Sequence, residues 1–269
     1  MTRPENLEDA FAAAEQAAGA ALDSTKKLQG LLRQLHKAAR EGNVKTLKRL
    51  QERLREEAAG TTEAVAGAAD SWPFDYSAVA DYLNDDANGY PAELRRVASE
   101  QGLAIHERDG QLICHPSTVR ILAGERAVRI DRKKLSTIRP SHLVELLLKN
   151  QDRPPRFRPE PFLKALHDVY GALTRDTPTP PGGVVIPLER IYNLLTSLPG
   201  SRRDYTRTDF ARDLYQLELA GVTETKSGAK LIVEGSTMLR NAKNVFTFVD
   251  PNGREVPFAS VRFDNPSDL

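Results

Sequence analysis

The sequence has a single cysteine, Cys114, among its 269 residues. One cysteine excludes an internal disulfide framework and any zinc site built from several cysteines. Aromatic residues make up only 6% of the chain, and no run approaches the ~18 consecutive apolar residues of a membrane span. The segment from Met1 to Asn6 has no apolar signal core. These absences predict a cytoplasmic protein without a membrane partner.

The composition is that of a folded protein. Hydrophobic residues make up 40% of the chain and charged residues 28%, and the formal net charge is +1. A chain of 269 residues is long enough for about two domains, or three small ones.

The charge is distributed unevenly along the chain. Residues 26–55 contain ten Lys or Arg against two acids, and residues 118–158 contain eleven against four. Two basic tracts in a nearly neutral chain indicate a polyanionic partner. The alternative is that these side chains solvate helix faces and cover apolar surface with their methylene stems.

The first seventy residues predict a helical hairpin. They are rich in the strong helix formers, and Leu28, Leu32 and Leu35 follow the 4, 3 spacing of one apolar stripe. A break at Gly42 separates helices over 5–41 and 44–67. A hairpin with so narrow a stripe is expected to pack on another copy or on the rest of the chain. A continuous exposed coiled-coil arm is the alternative.

Residues 71–176 form the second predicted region. Asp109-Gly110 is typical of a two-residue hairpin turn between strands. The predicted elements are helices 76–84, 93–101, 141–148 and 161–173, strands 103–108 and 111–115, and further strand within 119–130. The segment 177–183, rich in proline and glycine, predicts a linker.

Residues 184–269 form the third predicted region, which repeats the helix–helix–hairpin order of the second. The predicted elements are helices 187–198 and 206–219, and strands 222–225, 229–233, 245–249 and 255–263.

Two segments, 74–115 and 186–235, thus read as two helices followed by a β-hairpin. Each resembles the winged-helix superfamily, in which a helix-turn-helix is followed by a β-hairpin wing. The resemblance implies DNA binding, with the second helix in the major groove and the wing beside the backbone. The expected fold class is mainly α with small β-hairpins (α+β): an N-terminal antiparallel helical hairpin, 1–70, followed by winged-helix-like units in 71–176 and 184–269.

The second winged-helix-like unit, 184–269, has the residues that phosphate binding requires at the start of helix 206–219. Cations and hydroxyl groups there would add to the backbone N–H groups that favour phosphate. With Phe210 and Leu214 inward, Arg207, Thr208 and Arg212 are expected to face outward. The candidate DNA-binding residues are Arg202, Arg203, Tyr205, Thr206, Arg207, Thr208, Arg212, Lys226, Lys230, Arg132, Lys133, Lys134, Arg153, Arg156 and Arg158. The alternative is that the neighbouring aspartates, Asp204, Asp209 and Asp213, simply pair with these arginines.

Enzymatic motifs are missing from the sequence. It has no phosphate-binding glycine loop and no Gly-x-Ser-x-Gly elbow, and its five histidines lack metal-ligand spacing. Glu224-x-Lys226 after Asp213 matches a metal-dependent nuclease layout, but such short matches are common by chance. We therefore expect no enzymatic activity, no metal and no cofactor.

Two functions follow from the sequence. The first is a double-stranded DNA-binding protein, either a transcription regulator or the DNA-engaging subunit of a genome-maintenance or phage-defence assembly. It would form a homo-oligomer, or bind a larger protein partner, through its N-terminal helices. The alternative is a tandem winged-helix adaptor subunit of a larger ATPase complex.

Overall fold

The computed structural model describes residues 6–108, 110–152, 157–177, 180, 182–234 and 244–264. Of the described residues, 57% are helical and 17% are in strands, and this mixture of α and β agrees with the expected α+β class. The chain divides into two compact units. The first comprises Met1–Leu94 with Arg139–Ser141, and the second comprises Arg95–Ile138 with His142–Leu269.

The first unit is built on a long helical hairpin. Helices α1 (Leu7–Arg40) and α2 (Val44–Ala69) pack along a seam whose buried residues include Leu31, Ala38 and Leu50. The side chain of Asn43 caps α2 by accepting a hydrogen bond from the backbone N–H of Thr46. The predicted hairpin is confirmed, with helix ends within two residues of those expected.

The rest of the first unit closes the base of this hairpin. Helix α3 spans Tyr76–Asn84, and α4 (Tyr90–Glu100) begins in this unit. Trp72 packs on Phe11 with ring centroids 4.7 Å apart. The turn before α4 requires Gly89, because a Cβ there would lie 2.2 Å from the carbonyl oxygen of Tyr82.

Two carboxylates cap helices that are distant in sequence. Glu93 accepts hydrogen bonds from the backbone N–H groups of Leu7 and Glu8, at 3.3 and 2.7 Å. Glu8 in turn accepts from the backbone N–H of Ser141, at 2.8 Å, where α5 (Pro140–Asp152) begins, and from Arg139 at 2.9 Å. Anionic side chains at helix N-termini satisfy free N–H groups and complement the helix dipole.

The second unit begins with a five-stranded antiparallel meander in the order β1-β2-β3-β4-β5. Its strands are β1 (His106–Arg108), β2 (Gln111–Cys114), β3 (Ser117–Leu122), β4 (Ala127–Ile130) and β5 (Lys133–Leu135). The predicted β1–β2 hairpin is confirmed. It is not a free wing, however, because β3 pairs with β2 and continues the sheet.

Helices and a second, three-stranded sheet complete the second unit. Its further elements are α6 (Pro159–Thr174), β6 (Ile186–Pro187), α7 (Leu188–Leu195), α8 (Ser201–Asp204), α9 (Arg207–Ala220), β7 (Lys230–Glu234), β8 (Phe246–Val249), β9 (Glu255–Phe258) and β10 (Ser260–Asp264). The sheet order is β6-β10-β7, and β8 and β9 pair as a separate hairpin. One hydrophobic core, with Phe210, Phe246 and Phe263 at its centre, joins these elements to Ile113 of the meander.

This arrangement corrects the predicted wing. Residues 222–225 do pair antiparallel with the start of β7, but only through the isolated bridge of Glu224 to Lys230 and the hydrogen bonds from Thr225 N–H to Ala229 and from Leu231 N–H to Thr223, so the predicted hairpin is shortened. The main partner of β7 is β10, which pairs Val261 with Val233 and was not predicted. The expected boundary at 177–183 also differs from the structure, since the meander and the later helices share the core of one unit.

None of the described helices combines the length and the apolar character of a membrane-spanning segment.

Candidate nucleic-acid interface

Helix α8 is held against the meander by two arginines. The carbonyl oxygen of Arg203 accepts hydrogen bonds from the guanidinium groups of Arg120, at 2.8 Å, and Arg129, at 3.4 Å. Arg129 also pairs with Asp204 at 3.2 Å. Cations favour the free carbonyl end of a helix. The Arg203 side chain is 78% exposed and lies 3.6 Å from the carboxylate of Asp204.

The arginines beneath α8 belong to a row of cations across three strands. Arg120 on β3 is the direct cross-strand partner of Arg129 on β4, and Arg129 is the partner of Lys134 on β5. Like charges in directly opposed positions destabilise a sheet. Burial and the neighbouring charge of Arg129 lower the pKa of Arg120. The Nε atoms of Arg120 and Arg129 are buried and have no hydrogen-bond partner among the described residues.

Further cations surround this row. Arg132 lies in the two-residue turn between β4 and β5, and its guanidinium group lies 5.5 Å from the centre of the Tyr205 ring. Arg202 is exposed on α8 and donates to the Asn193 side chain at 2.8 Å. We call the set of six cations the basic surface; it consists of Arg120, Arg129, Arg132, Lys134, Arg202 and Arg203. Among the described residues, three acids pair with it: Glu125 with Lys134, Asp204 with Arg129 and Arg203, and Asp213 with Arg132 at 3.6 Å.

Arg212 does not belong to that surface. It is only 7% exposed and bonds to Asp131 at 2.6 Å and Asp213 at 3.0 Å, with Asp209 at 3.7 Å. Burial opposes its charge, but the three aspartates outweigh this effect and raise the pKa of Arg212. The expected outward orientation of Arg212 is therefore wrong. The alternative interpretation, pairing with neighbouring aspartates, describes its contacts.

The ion pairs of Arg212 belong to a larger buried network of hydrogen bonds along α9. Thr118 of β3 donates to Asp209 at 3.0 Å, and the Tyr205 hydroxyl donates to Asp213 at 2.9 Å. Burial raises the pKa values of Tyr205 and Asp213, and the Asp213 charge adds to the effect on Tyr205. Thr208 is also buried, so its predicted outward orientation is wrong as well. The meander covers the face of α9 that was expected to enter a DNA groove.

The residues at the start of α9 also contact other parts of the same unit. Thr206 and Asp209 form a reciprocal capping box, and Thr206 bonds to Gln111 of β2. Arg207 is half-buried, pairs with Glu189 and lies 4.1 Å from the centre of the Phe246 ring. The prediction that Arg207 faces outward is therefore confirmed only in part.

A cleft of about 560 Å³ lies beside the network. Arg132 and Arg158 line it together with Asp131, Arg212 and Asp213, and Phe157 and Phe162 form apolar walls. Arg158 is exposed at the start of α6. The cleft therefore brings two of the predicted cations together next to the basic surface.

The remaining predicted residues lie elsewhere. Lys133 is exposed, but strand alternation points it to the opposite face of β5 from Lys134. Lys226 and Lys230 are exposed around the turn before β7, and no hydrogen bond or ion pair of the described residues joins them to the basic surface. Arg153 and Arg156 lie outside the described residues.

The nuclease layout gains no geometric support. Asp213 is bound to Arg212 and Tyr205. Within the described ranges, no group of three His, Cys, Asp or Glu side chains is placed to hold a metal ion.

The bridge segment with Arg129 and Arg139 was also expected from the sequence to contact a DNA backbone, but Arg120 was missed. Arg120 lies in the second basic tract, and its place beside Arg129 depends on the β3–β4 register, which sets the two directly opposite each other. The short strand β5 was also missed, because it consists of only three residues, two of them lysines.

Comparison of the chain with protein-family models, with curated proteins and with solved structures finds no match.

Proposed function

We propose that this chain is a non-enzymatic double-stranded DNA-binding protein that contacts the phosphate backbone through the basic surface. The observation that carries the proposal is the cross-strand row Arg120–Arg129–Lys134. Stacking three like charges raises the free energy of the folded protein, and Asp204 and Glu125 supply two carboxylates for the three cations, so a further anion would be stabilising. A ladder of phosphates supplies such charge at regular spacing.

The topology of the second unit supports a winged-helix interpretation of its C-terminal part. If the short helix α8 and the hairpin β8–β9 are taken as insertions, the order α6, β6, α7, α9, β7, β10, with β10 between β6 and β7, resembles a helix-turn-helix joined to a small wing sheet. In contrast to the usual arrangement, the second helix of the pair, α9, is covered by the meander. The proposed contact therefore positions the protein on the backbone and does not read bases.

The test is binding of the full chain to a labelled duplex, measured by fluorescence anisotropy at low salt. The surface variant combines Lys134→Ala, Arg202→Ala and Arg203→Ala. The matched control removes three exposed cations elsewhere in the second unit, Lys149→Ala, Lys164→Ala and Arg190→Ala. We expect the surface variant to lose at least about tenfold in affinity and the control to lose little. Two duplexes of unrelated sequence should bind equally well.

The second candidate is a protein-interaction adaptor. It is favoured by the covered face of α9. Because α9 packs against the meander, that face cannot enter a DNA groove, and the winged-helix-like part would then serve as a scaffold for protein contacts. Undetectable duplex binding by the wild-type chain at low salt would reject the DNA proposal in favour of this one.

A further inference from the structure

The helical hairpin of the first unit is electrically polarised along its length. Every Lys and Arg of α1 and α2 lies in the half nearest the connecting loop, residues 26–55, with two acids. The other half, 7–25 of α1 and 56–69 of α2, contains seven acids and no Lys or Arg. We call these halves the basic tip and the acidic base. A face that only needed solvation would mix the two signs.

The sign changes near the midpoint of both helices. On α1 the change falls between Asp23 and Lys26, and on α2 it falls between Arg55 and Glu56. If a second hairpin lay antiparallel to the first, about a two-fold axis at this midpoint, each tip would face the base of the other copy. Closed two-fold pairs of this kind are the commonest oligomers.

One stripe of α1 is self-complementary about that axis. Glu15, Leu22, Lys26 and Arg33 are spaced by 7, 4 and 7, so they share one helix face. In an antiparallel pair centred on Ser24, Glu15 lies opposite Arg33 of the other copy and Leu22 lies opposite Lys26. The side chain of Glu15 is 70% exposed, although it also pairs with Arg139.

Uncovered apolar side chains accompany the charge pattern. Leu22 is 61% exposed, and Leu32, Val44 and Val65 are also exposed on the hairpin. An overlap of about 25 residues per helix would span about 38 Å. The stripe lies on the side of α1 opposite the seam formed by Leu31 and Ala38, so this overlap involves one helix, about 10 Å wide, from each copy.

We propose that two copies of this chain associate through antiparallel packing of their hairpins, basic tip against acidic base. A nucleic-acid partner would account for the tip but not for the acidic base or the exposed leucines. A membrane surface is disfavoured because residues 12–71 contain no aromatic side chain to anchor at a lipid interface. The proposal does not depend on DNA binding, because association is measured without DNA.

The test is a charge exchange in the full chain, with mass measured by light scattering and sedimentation. The wild type should have twice the 29.8 kDa chain mass and should dissociate more readily as salt is raised. Arg33→Glu and Glu15→Lys should each weaken the dimer by about tenfold or more, because each places like charges opposite each other twice. An equimolar mixture of the two variants should form a heterodimer, since both contacts regain opposite charges.

Two controls keep the outcome decisive. Arg33→Lys retains the charge and should retain the dimer, and circular dichroism should show unchanged helix content in every variant. A wild-type chain that is monomeric at all concentrations would overturn the proposal, as would variants that dimerise like the wild type or a mixture that fails to pair. Loss of duplex affinity in Arg33→Glu, with a monomeric wild type, would assign the tip to nucleic acid instead.

Discussion

At the scale of single residues, Arg212 and Arg203 show how similar sequence contexts lead to opposite environments. Both arginines have an aspartate as the next residue. Arg212 lies on the middle turns of α9, between the core and the meander, and is surrounded by Asp131, Asp209 and Asp213. Arg203 contacts the meander through its backbone carbonyl, and its side chain is 78% exposed and pairs only with the exposed Asp204 among the described residues. Arg212 therefore acts in stability, and Arg203 is available for binding.

Removing the Arg212 side chain should be strongly destabilising. Arg212→Ala would leave buried aspartates without their cation, and breaking a buried pair in this way costs about 3–5 kcal/mol. Urea unfolding measures this loss, with Arg190→Ala on the exposed face of α7 as a control that should stay within about 0.5 kcal/mol of the wild type. A loss below about 1 kcal/mol for Arg212→Ala would contradict the network.

Cys114 should be unreactive in the folded protein. It is 1% exposed, and burial, assisted by the charge of Asp131, raises the pKa of its thiol to about 12. The thiolate is the reactive form, so almost none is present near neutral pH. A chromogenic disulfide reagent should titrate one thiol per chain in denaturant and almost none without it. Rapid reaction of the native protein would mean that β2 is not buried.

At the scale of elements, the capping carboxylate Glu8 ties α1 to the segment Arg139–Ser141 within the first unit. Burial acts to raise its pKa, but hydrogen bonds from Ser141 and Arg139 outweigh burial and hold the pKa of Glu8 below its ordinary value of 4.5. A lowered pKa in the folded state means that the stabilisation is complete above about 4.5. It is lost as the pH falls through the lower, folded-state pKa.

Glu8→Gln should therefore reduce stability at neutral pH and flatten its decline in acid. The quantity to measure is the free energy of unfolding of both proteins from pH 7 to pH 3. The difference between them should shrink as the pH falls below about 4.5. Glu63→Gln, on the exposed face of α2, is the control and should follow the wild type throughout. A constant difference at all pH values would contradict the capping role.

The elements could be predicted where their signals are local. Asn43 caps α2 and Gly42 ends the preceding turn, so the hairpin boundaries follow from neighbouring residues. The pairing of β7 with β10 could not be predicted in this way, because Val233 and Val261 are 28 residues apart and 229–233 had a nearer strand partner by pattern. The basic surface depends on strand register for the same reason. Likewise, the burial of Arg212 depends on Asp131, which lies 81 residues earlier.

At the scale of the whole molecule, a net charge of +1 hides three separate charged regions: the basic tip and acidic base of the hairpin, and the basic surface of the second unit. The proposed partners follow this separation. In the proposed dimer, opposite halves of two hairpins attract each other, and in the proposed DNA contact the basic surface, whose six cations outnumber the three acids paired with them, meets an external polyanion. The two contacts are predicted to be independent, so a variant in one should leave the other intact.

The salt dependence of duplex binding tests the central claim most directly. Each phosphate contact contributes about −0.9 to the slope of log affinity against log salt concentration. If Lys134, Arg202 and Arg203 contact phosphates, the surface variant should have a slope shallower than that of the wild type by about 2.7, and the matched control should have the wild-type slope. Equal slopes for the surface variant and the wild type would contradict the account.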